Sequence, residues 1–449
     1  MAADPRLLPD LAAWIAALRA SDLDAAILDR LKLHALDALA CTCAGAAASE
    51  FTTTRDALID AAFASPPKNL LDHPACAAAL LVTACRLTEC DDIHIGSCVT
   101  PSSVVMPVAL LWGHRAKASR DTIIEAMFAG YQVMVTLGLA AHGAENVYRG
   151  VWPTYLTGGI AAAAIAAKTM GFEEEQIRDA MAIAASSATG VTGRIEKEPA
   201  PRWLVLASAI QSGLLAAAAA AHGIHGDETI LAKVSPVWSA EKIALPEIAG
   251  PGAPPHLPRI GFKPYCTSRQ GLSATEAFIG ALRTNRIEPG AIEKITLAVP
   301  QQYRAMIDRA KRPKTKSESR GIHYQLAMAA LYPDELCDIE RATLHNEEPA
   351  VQRLLDRIEV TVSDKLTALY PRQWGGAVRI EAGGKAYDNE ILNPRGDPET
   401  PLGRDGITAK LDTMSRFLPR PIPTQDLARQ IDALDFGACL EILVARVGA

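Results

Sequence analysis

The run AGPGAPPHLP, Ala249 to Pro258, decides how this chain divides. Four prolines and two glycines in ten residues remove the backbone donors and fixed dihedrals that a helix or strand needs. The run is therefore read as a linker that is not regular structure. Working back from it, the residues before Ile248 carry apolar side chains at helical spacing. The pattern is clear over Leu7 to Leu18, Asp24 to Gly45, Cys76 to Cys90, Val104 to Leu111, Thr122 to Leu139, Gly158 to Met170, Glu174 to Ser187 and Leu204 to His222. Working forward, the texture changes. IEKITLAV (Ile292 to Val299) and IEVTV (Ile358 to Val362) alternate and are β-branched. Ala377 to Glu381, followed by Gly383-Gly384, reads as one arm of a hairpin. Helical patterns at Ser273 to Arg283 and Tyr324 to Leu331 lie between them. A last helical stretch, Ile407 to Phe417 then Gln425 to Val444, is expected to fold back onto the first part. The expectation is a mainly α protein with a smaller α/β domain: a helical domain over 1–255 with 400–449, and an α/β lid domain over 260–395.

Composition narrows the function. The 449 residues are 49% hydrophobic and 21% charged but only 5% aromatic, the profile of closely packed, alanine-rich helices around a sizeable core. A formal net charge of −6 argues against a nucleic-acid partner, which needs a basic face. A small anionic substrate remains open, because a few local cations can outweigh the global balance. Nine cysteines lack convincing metal spacing and read as reduced, buried thiols of a cytoplasmic protein. MAADPRLLPDLAAW lacks the pattern of a signal peptide, and Leu204 to Ala221 reads as a buried helix rather than a membrane span. No nucleotide, serine-hydrolase or zinc-protease motif is present, so no metal and no cofactor are expected.

Several segments, in order, resemble the MmgE/PrpD family, which includes 2-methylcitrate dehydratase, cis-aconitate decarboxylase and iminodisuccinate epimerase. They are DALACTCAG (Asp37 to Gly45), DDIHIGSCVTPSSVVMPVAL (Asp91 to Leu110), GYQVMVTLG (Gly130 to Gly138), WPTYLTGG (Trp152 to Gly159), IAASSATG (Ile183 to Gly190), GFKPYCTSRQG (Gly261 to Gly271), HYQLAMAAL (His323 to Leu331) and RGDPETPL (Arg395 to Leu402). The resemblance implies a large helical domain with an α/β lid, a homodimer, and a site between the two domains.

Five clusters could carry chemistry. Asp91, Asp92 and His94 precede a Pro-marked helix start at Pro101. Adjacent carboxylates can hold a base, bind a cation or cap a helix, and would favour the charged form of a neighbouring His. Where dehydratase-like relatives carry a further His, this chain has Thr100. Tyr148, Arg149, Trp152, Thr154 and Tyr155 precede a small-residue helix whose N-terminus can approach an anion. Trp152 stands where relatives tend to carry a second His. Arg194, Lys197 and Arg202 form a basic group, and Arg202 falls where relatives have a substrate-binding Lys. An Arg there can grip a carboxylate with two hydrogen bonds. Lys263, with Tyr265, Thr267, Ser268 and Arg269, matches the family's active-site Lys segment. Tyr324 lies near a family Tyr, with His323 and Gln325 as neighbouring registers.

The family reactions begin by forming a carbanion or enolate beside a carboxylate. Arg202, Lys263 and Arg269 would supply positive charge. Lys263 and one of Tyr155, Tyr148 or His94 would carry protons, assisted by Asp92. Asp91, Tyr324, Thr100 and Trp152 would line the substrate. Without the two His, the reading leans to a cofactor-free isomerase acting by α-proton abstraction on a polycarboxylate such as iminodisuccinate. The alternatives are a dehydratase or decarboxylase of a tricarboxylate, and a catalytically silent relative.

Overall fold

The computed structural model describes residues 6–63, 65–192, 201–233, 254–340 and 345–448. It resolves into two compact units. The first takes the described residues within 6–192, 201–260 and 422–448, and the second takes those within 261–421.

The described part of the first unit is built of helices, with two isolated β-bridges at His94–Val99 and Val151–Val191. Its main helices are Leu7–Ala17, Ala25–Gly45, Ser49–Ala62, Pro74–Leu87, Ser102–Ala116, Arg120–Ala140, Pro153–Thr169, Glu174–Ser186, Arg202–Ala221, Thr424–Asp432 and Phe436–Val447. Polar caps start several of them. Asp24 accepts from the Ile27 N–H and Ser119 from the Thr122 N–H, while Pro74 and Pro153 occupy first turns where a missing N–H costs nothing. Alanine and glycine then let helix backbones touch. A Cβ on Gly213 would lie 1.9 Å from the Gly159 carbonyl oxygen, so Pro153–Thr169 and Arg202–Ala221 pack main chain against main chain. That contact fixes the helices that carry Tyr155 and Arg202.

The helix Ser49–Ala62 was not marked by the apolar pattern, because only Glu50, Phe51, Thr54 and Leu58 of it are buried. Two helices are long and apolar enough to cross a membrane by length and composition, Arg120–Ala140 and Arg202–Ala221. The first is almost wholly buried in the fold. The second is about half buried and leaves Leu215 70% exposed, so the expectation of a buried helix there needs correcting.

The second unit is built on a four-stranded sheet of order β2-β1-β3-β4, with β1 Ile292–Val299, β2 Ile358–Val362, β3 Gly376–Ala382 and β4 Lys385–Ile391. β1 pairs parallel to β2, with Ile295 opposite Ile358, and antiparallel to β3, with Leu297 opposite Val378. β3 and β4 form a hairpin that turns at Gly383 and Gly384, both at positive φ, the conformation the tight turn requires. The helix Arg269–Asn285 packs on β3 so closely that a Cβ on Gly376 would lie 2.4 Å from the Ala274 nitrogen. The large helical part and the smaller α/β part match the expected fold class.

The tail divides between the units. The helix Arg404–Ser415 falls in the second unit, against the turn Pro333–Cys337, whereas Thr424–Asp432 and Phe436–Val447 pack with the first. Of the proline-rich run, Ala249 to Ala253 lie outside the described residues. Pro254 and Pro255 are irregular, and Leu257–Arg259 closes a short 3-10 turn, which corrects the expectation of no regular structure in that run.

Candidate active site

The helix Pro74–Leu87 ends in a loop that carries Glu89, Asp91, Asp92 and His94 into the interior of the first unit. All four are buried, and Asp91 and Asp92 are fully so. Charged groups are driven inside only where partners compensate the lost hydration, and each acid here has its own partner set.

Asp92 belongs to a hydrogen-bonded network. Its carboxylate accepts the Ser102 N–H at 3.1 Å and the Ser102 hydroxyl, and lies 3.0 Å from His34 Nδ1. The Ser102 hydroxyl is also 2.6 Å from the Tyr131 hydroxyl. Burial, with Asp92 adding to it, pushes the Tyr131 phenol well above its usual range, so it stays protonated. Asp92 thus ties the start of the helix Ser102–Ala116 to His34 and Tyr131. None of His34, Ser102 or Tyr131 was singled out from the sequence. His34 left a faint signal, as a polar residue in the otherwise apolar stretch LKLHALDAL.

Asp91 belongs to a charged cluster. Its carboxylate lies 3.3 Å from Arg86 Nη1, which also faces Glu89 at 3.6 Å. Glu89 in turn lies 3.1 Å from Arg202 Nη1. The Arg202 guanidinium lies over the Trp203 ring, 4.1 Å from its centre. Burial works against the Arg86 charge, but Asp91 and Glu89 outweigh it and hold the guanidinium firmly protonated. Tyr155 completes the cluster. Burial raises its phenol above the usual value, and the fields of Arg86 and Arg202 offset that only in part. Its ring stacks on Trp152 at 6.0 Å between centres. Among the described residues, the Tyr155 hydroxyl and the Nε–H groups of Arg86 and Arg202 make no hydrogen bond. Arg86 and Glu89 were missed in the sequence, where they read only as the polar end of an apolar helix.

His94 departs from expectation. Its Nδ1 accepts the Ser97 N–H at 3.2 Å and is 2.9 Å from the Ser97 hydroxyl, so the neutral ring carries its proton on Nε2. Burial first, then His256 and Arg259, push its pKa down to about 3. The ring is neutral at physiological pH. The expectation that Asp91 and Asp92 favour its charged form is corrected: the histidine paired with an acid is His34. Thr100 is held by Thr154. Its N–H donates to Thr154 Oγ1 at 2.9 Å and its hydroxyl lies 3.1 Å from the same atom, pinning the loop to the start of the helix Pro153–Thr169. Tyr148 sits half-buried in the 3-10 turn Val147–Arg149. Arg194 and Lys197 lie outside the described residues.

In the second unit Lys263 is buried at 2% exposure, just before Tyr265, whose hydroxyl donates to Glu276 at 3.1 Å. Arg269 is engaged on every side. Its Nε donates to Asp397 at 3.1 Å, a second nitrogen bonds the same carboxylate, and Nη1 reaches Ser273 Oγ and the Trp374 carbonyl, each at 3.3 Å. Tyr324 is fully buried in the helix Ile322–Leu331, and its neighbour His323 pairs with Asp308 at 2.8 Å. The structure therefore gathers Asp91, Tyr155, Arg202 and Trp152 with Arg86 and Glu89, and assigns Asp92, His94, Thr100 and Arg269 to other neighbours.

Among the described residues, Glu175, Asp179 and His225 have the spacing of a cation site. The Arg178 guanidinium stands among them, 3.5 Å from Glu175 and 3.8 Å from Asp179, and already supplies the compensating charge.

In the first unit, buried Arg86 and part-exposed Arg202 thus stand with Glu89, Asp91 and the Tyr155 phenol, whose pKa burial raises. The N-terminal domain of the MmgE/PrpD family matches residues 9–238 and its C-terminal domain residues 265–432, and the chain belongs to that family. It is also similar to a cis-aconitate decarboxylase-like protein, oryM, of Aspergillus oryzae, with 26% identity over 232 residues. That similarity covers 48% of this chain and 47% of the relative, so the chain spans about half the length of the curated relative it matches.

Proposed function

We propose that this protein is a cofactor-free lyase that forms a carbanion on a small tricarboxylate: in a decarboxylation of the cis-aconitate type the carbanion is protonated, and in a dehydration it expels a hydroxide that takes the proton. Family membership supports an enzyme acting on a polycarboxylate. The similarity to a decarboxylase-like protein favours the lyase over the epimerase branch. The observation that carries the reading is buried Arg86 and Tyr155 with part-exposed Arg202: two guanidinia beside a phenol held protonated.

In a decarboxylation the C–C bond to one carboxylate breaks, carbon dioxide leaves, and the electron pair stays on carbon, delocalised into an adjacent carboxylate. Guanidinium groups in a water-poor site stabilise that charge, and one such group contributes about 3 kcal/mol to the barrier. The carbanion then takes a proton. Tyr155 is the proposed donor, since a buried neutral phenol keeps its proton until a strong base forms beside it. Neutral His94 acts through its Nε2–H as a hydrogen-bond donor rather than as an imidazolium acid. Lys263 is retained as a proposed source of positive charge, with Asp92 as the residue that anchors the Asp91–His94 loop.

The isomerase reading, as in iminodisuccinate epimerase, keeps one specific support: Thr100 and Trp152 stand at two positions where relatives carry histidines. Incubation with cis-aconitate, 2-methylcitrate and iminodisuccinate in deuterated water, followed by proton NMR, separates the two. The lyase reading expects a new alkene or loss of carbon dioxide. Deuterium entering an α-position without net product would transfer the assignment to the epimerase, and inertness towards all three would defeat both.

A further inference from the structure

Arg86, Glu89, Asp91 and Arg202 are two cations and two acids, so the cluster is charge-balanced before any ligand arrives. Glu89 is the member with an unusual backbone. It sits at φ +55°, in the left-handed region that non-glycine residues seldom occupy, and is 6% exposed. From there its two oxygens face the two guanidinia, Arg202 Nη1 at 3.1 Å and Arg86 Nη1 at 3.6 Å. It holds both through their terminal nitrogens. The remaining edges, Arg86 Nε–H and Arg202 Nε–H, together with the Tyr155 hydroxyl, are buried donors that find no acceptor among the described residues. A buried donor without an acceptor is disfavoured by about 1–3 kcal/mol, and three in one cluster point to an acceptor beyond the described residues.

We propose that these three donors receive a carboxylate of the ligand, and that Arg86 and Glu89 set the affinity of that subsite: Arg86 as a binding residue, Glu89 as the resident carboxylate that competes for the same two guanidinia. The proposal rests on the polycarboxylate reading above and adds to it a subsite and a selectivity device. Glu89 lowers the local positive potential, so the site takes a ligand whose carboxylate can use the Nε edges and discriminates against simple anions that bind by charge alone. Removing its charge while keeping its amide oxygen for Arg202 leaves a surplus cation, and affinity for a polyanion rises.

Tricarballylate, a tricarboxylate with no leaving hydroxyl and no double bond, reports binding apart from turnover. Titration calorimetry of the full chain is expected to show Glu89→Gln binding it about tenfold more tightly than wild type, and Arg86→Gln at least about tenfold more weakly. Tyr155→Phe weakens binding while leaving the melting temperature of the ligand-free protein no lower, because it deletes a hydroxyl that had no partner. A Glu89→Gln protein that folds and binds more weakly than wild type, or wild type with no detectable binding, overturns the proposal. Should either charge variant fail to fold, Tyr155→Phe decides alone, and unchanged affinity there sinks it. Turnover of cis-aconitate with a KM that Arg86→Lys and Tyr155→Phe leave unmoved would defeat the subsite and spare the lyase reading. Tricarballylate binding that responds as stated, without turnover of any polycarboxylate, would do the reverse.

Discussion

Two arginines, one in each unit, look alike in the sequence and differ in the structure. Arg269 is enclosed by Asp397, Ser273 and the Trp374 carbonyl, with Nε and both terminal nitrogens bonded. Arg202 shares Glu89 with Arg86, rests on Trp203, and keeps Nε unbonded among the described residues. The first is a closed network and the second an open one. A polar group whose bonds are all made inside the chain stabilises a fold and has nothing left for a ligand. A group left short of partners stores binding capacity, which is why the second cluster and not the first is assigned to chemistry.

That contrast is open to attack by substitution. The largest effect is expected at Arg269. Arg269→Ala leaves Asp397 buried without its partner and should cost about 3–5 kcal/mol of stability, seen as a lowered urea midpoint. An equal loss of activity with an unchanged midpoint would reverse the assignment of the two arginines. Arg202→Ala should show the opposite split: kcat/KM for a tricarboxylate substrate lower by about 100–1000-fold, with the urea midpoint little changed for this part-exposed side chain. A third test uses His94. Its folded pKa of about 3 lies below the ordinary 6.5, so the unfolded chain binds one more proton between those values. The stability that neutral His94 represents is complete above pH 6.5 and is lost as pH falls towards 3, at up to about 1.4 kcal/mol per pH unit. His94→Gln should flatten that acid limb in a pH series of urea unfolding curves by about one proton, and an unaltered slope would contradict the neutral assignment. The smallest effect is expected at the ion pairs of Arg178. His225→Ala should leave turnover unchanged, and added zinc should not raise the melting temperature, because Arg178 already compensates the acids there.

The fold was legible because it is written in periodicity. The helical series, the alternation of Ile292–Val299 and Ile358–Val362, and the Gly383-Gly384 turn all depend on local patterns that tertiary contacts did not override. The candidate site was legible in part. Asp91, Tyr155, Trp152 and Arg202 stood out because they flank helix starts and matched family positions. Arg86, Glu89, His34 and Tyr131 did not, since each lies inside or at the end of an apolar helix and acquires meaning only through long-range partners: Arg202 for Glu89, and Asp92 for His34. His94 was misread for the same reason. Proximity in sequence to Asp91 and Asp92 suggested a charged ring, whereas its spatial neighbours are Ser97, His256 and Arg259. Arg269 likewise matched a family segment, while its partner Asp397 lies 128 residues away.

The location of the anion site can be read directly by hydrogen–deuterium exchange of the full chain with and without tricarballylate. Slower exchange in peptides that cover Arg86 to Asp92 and the first turn of Pro153–Thr169 is the expected result. Protection confined to peptides around Arg269 and Asp397, with the loop after Pro74–Leu87 exchanging as before, would contradict the assignment of the open cluster as the place where the acid binds.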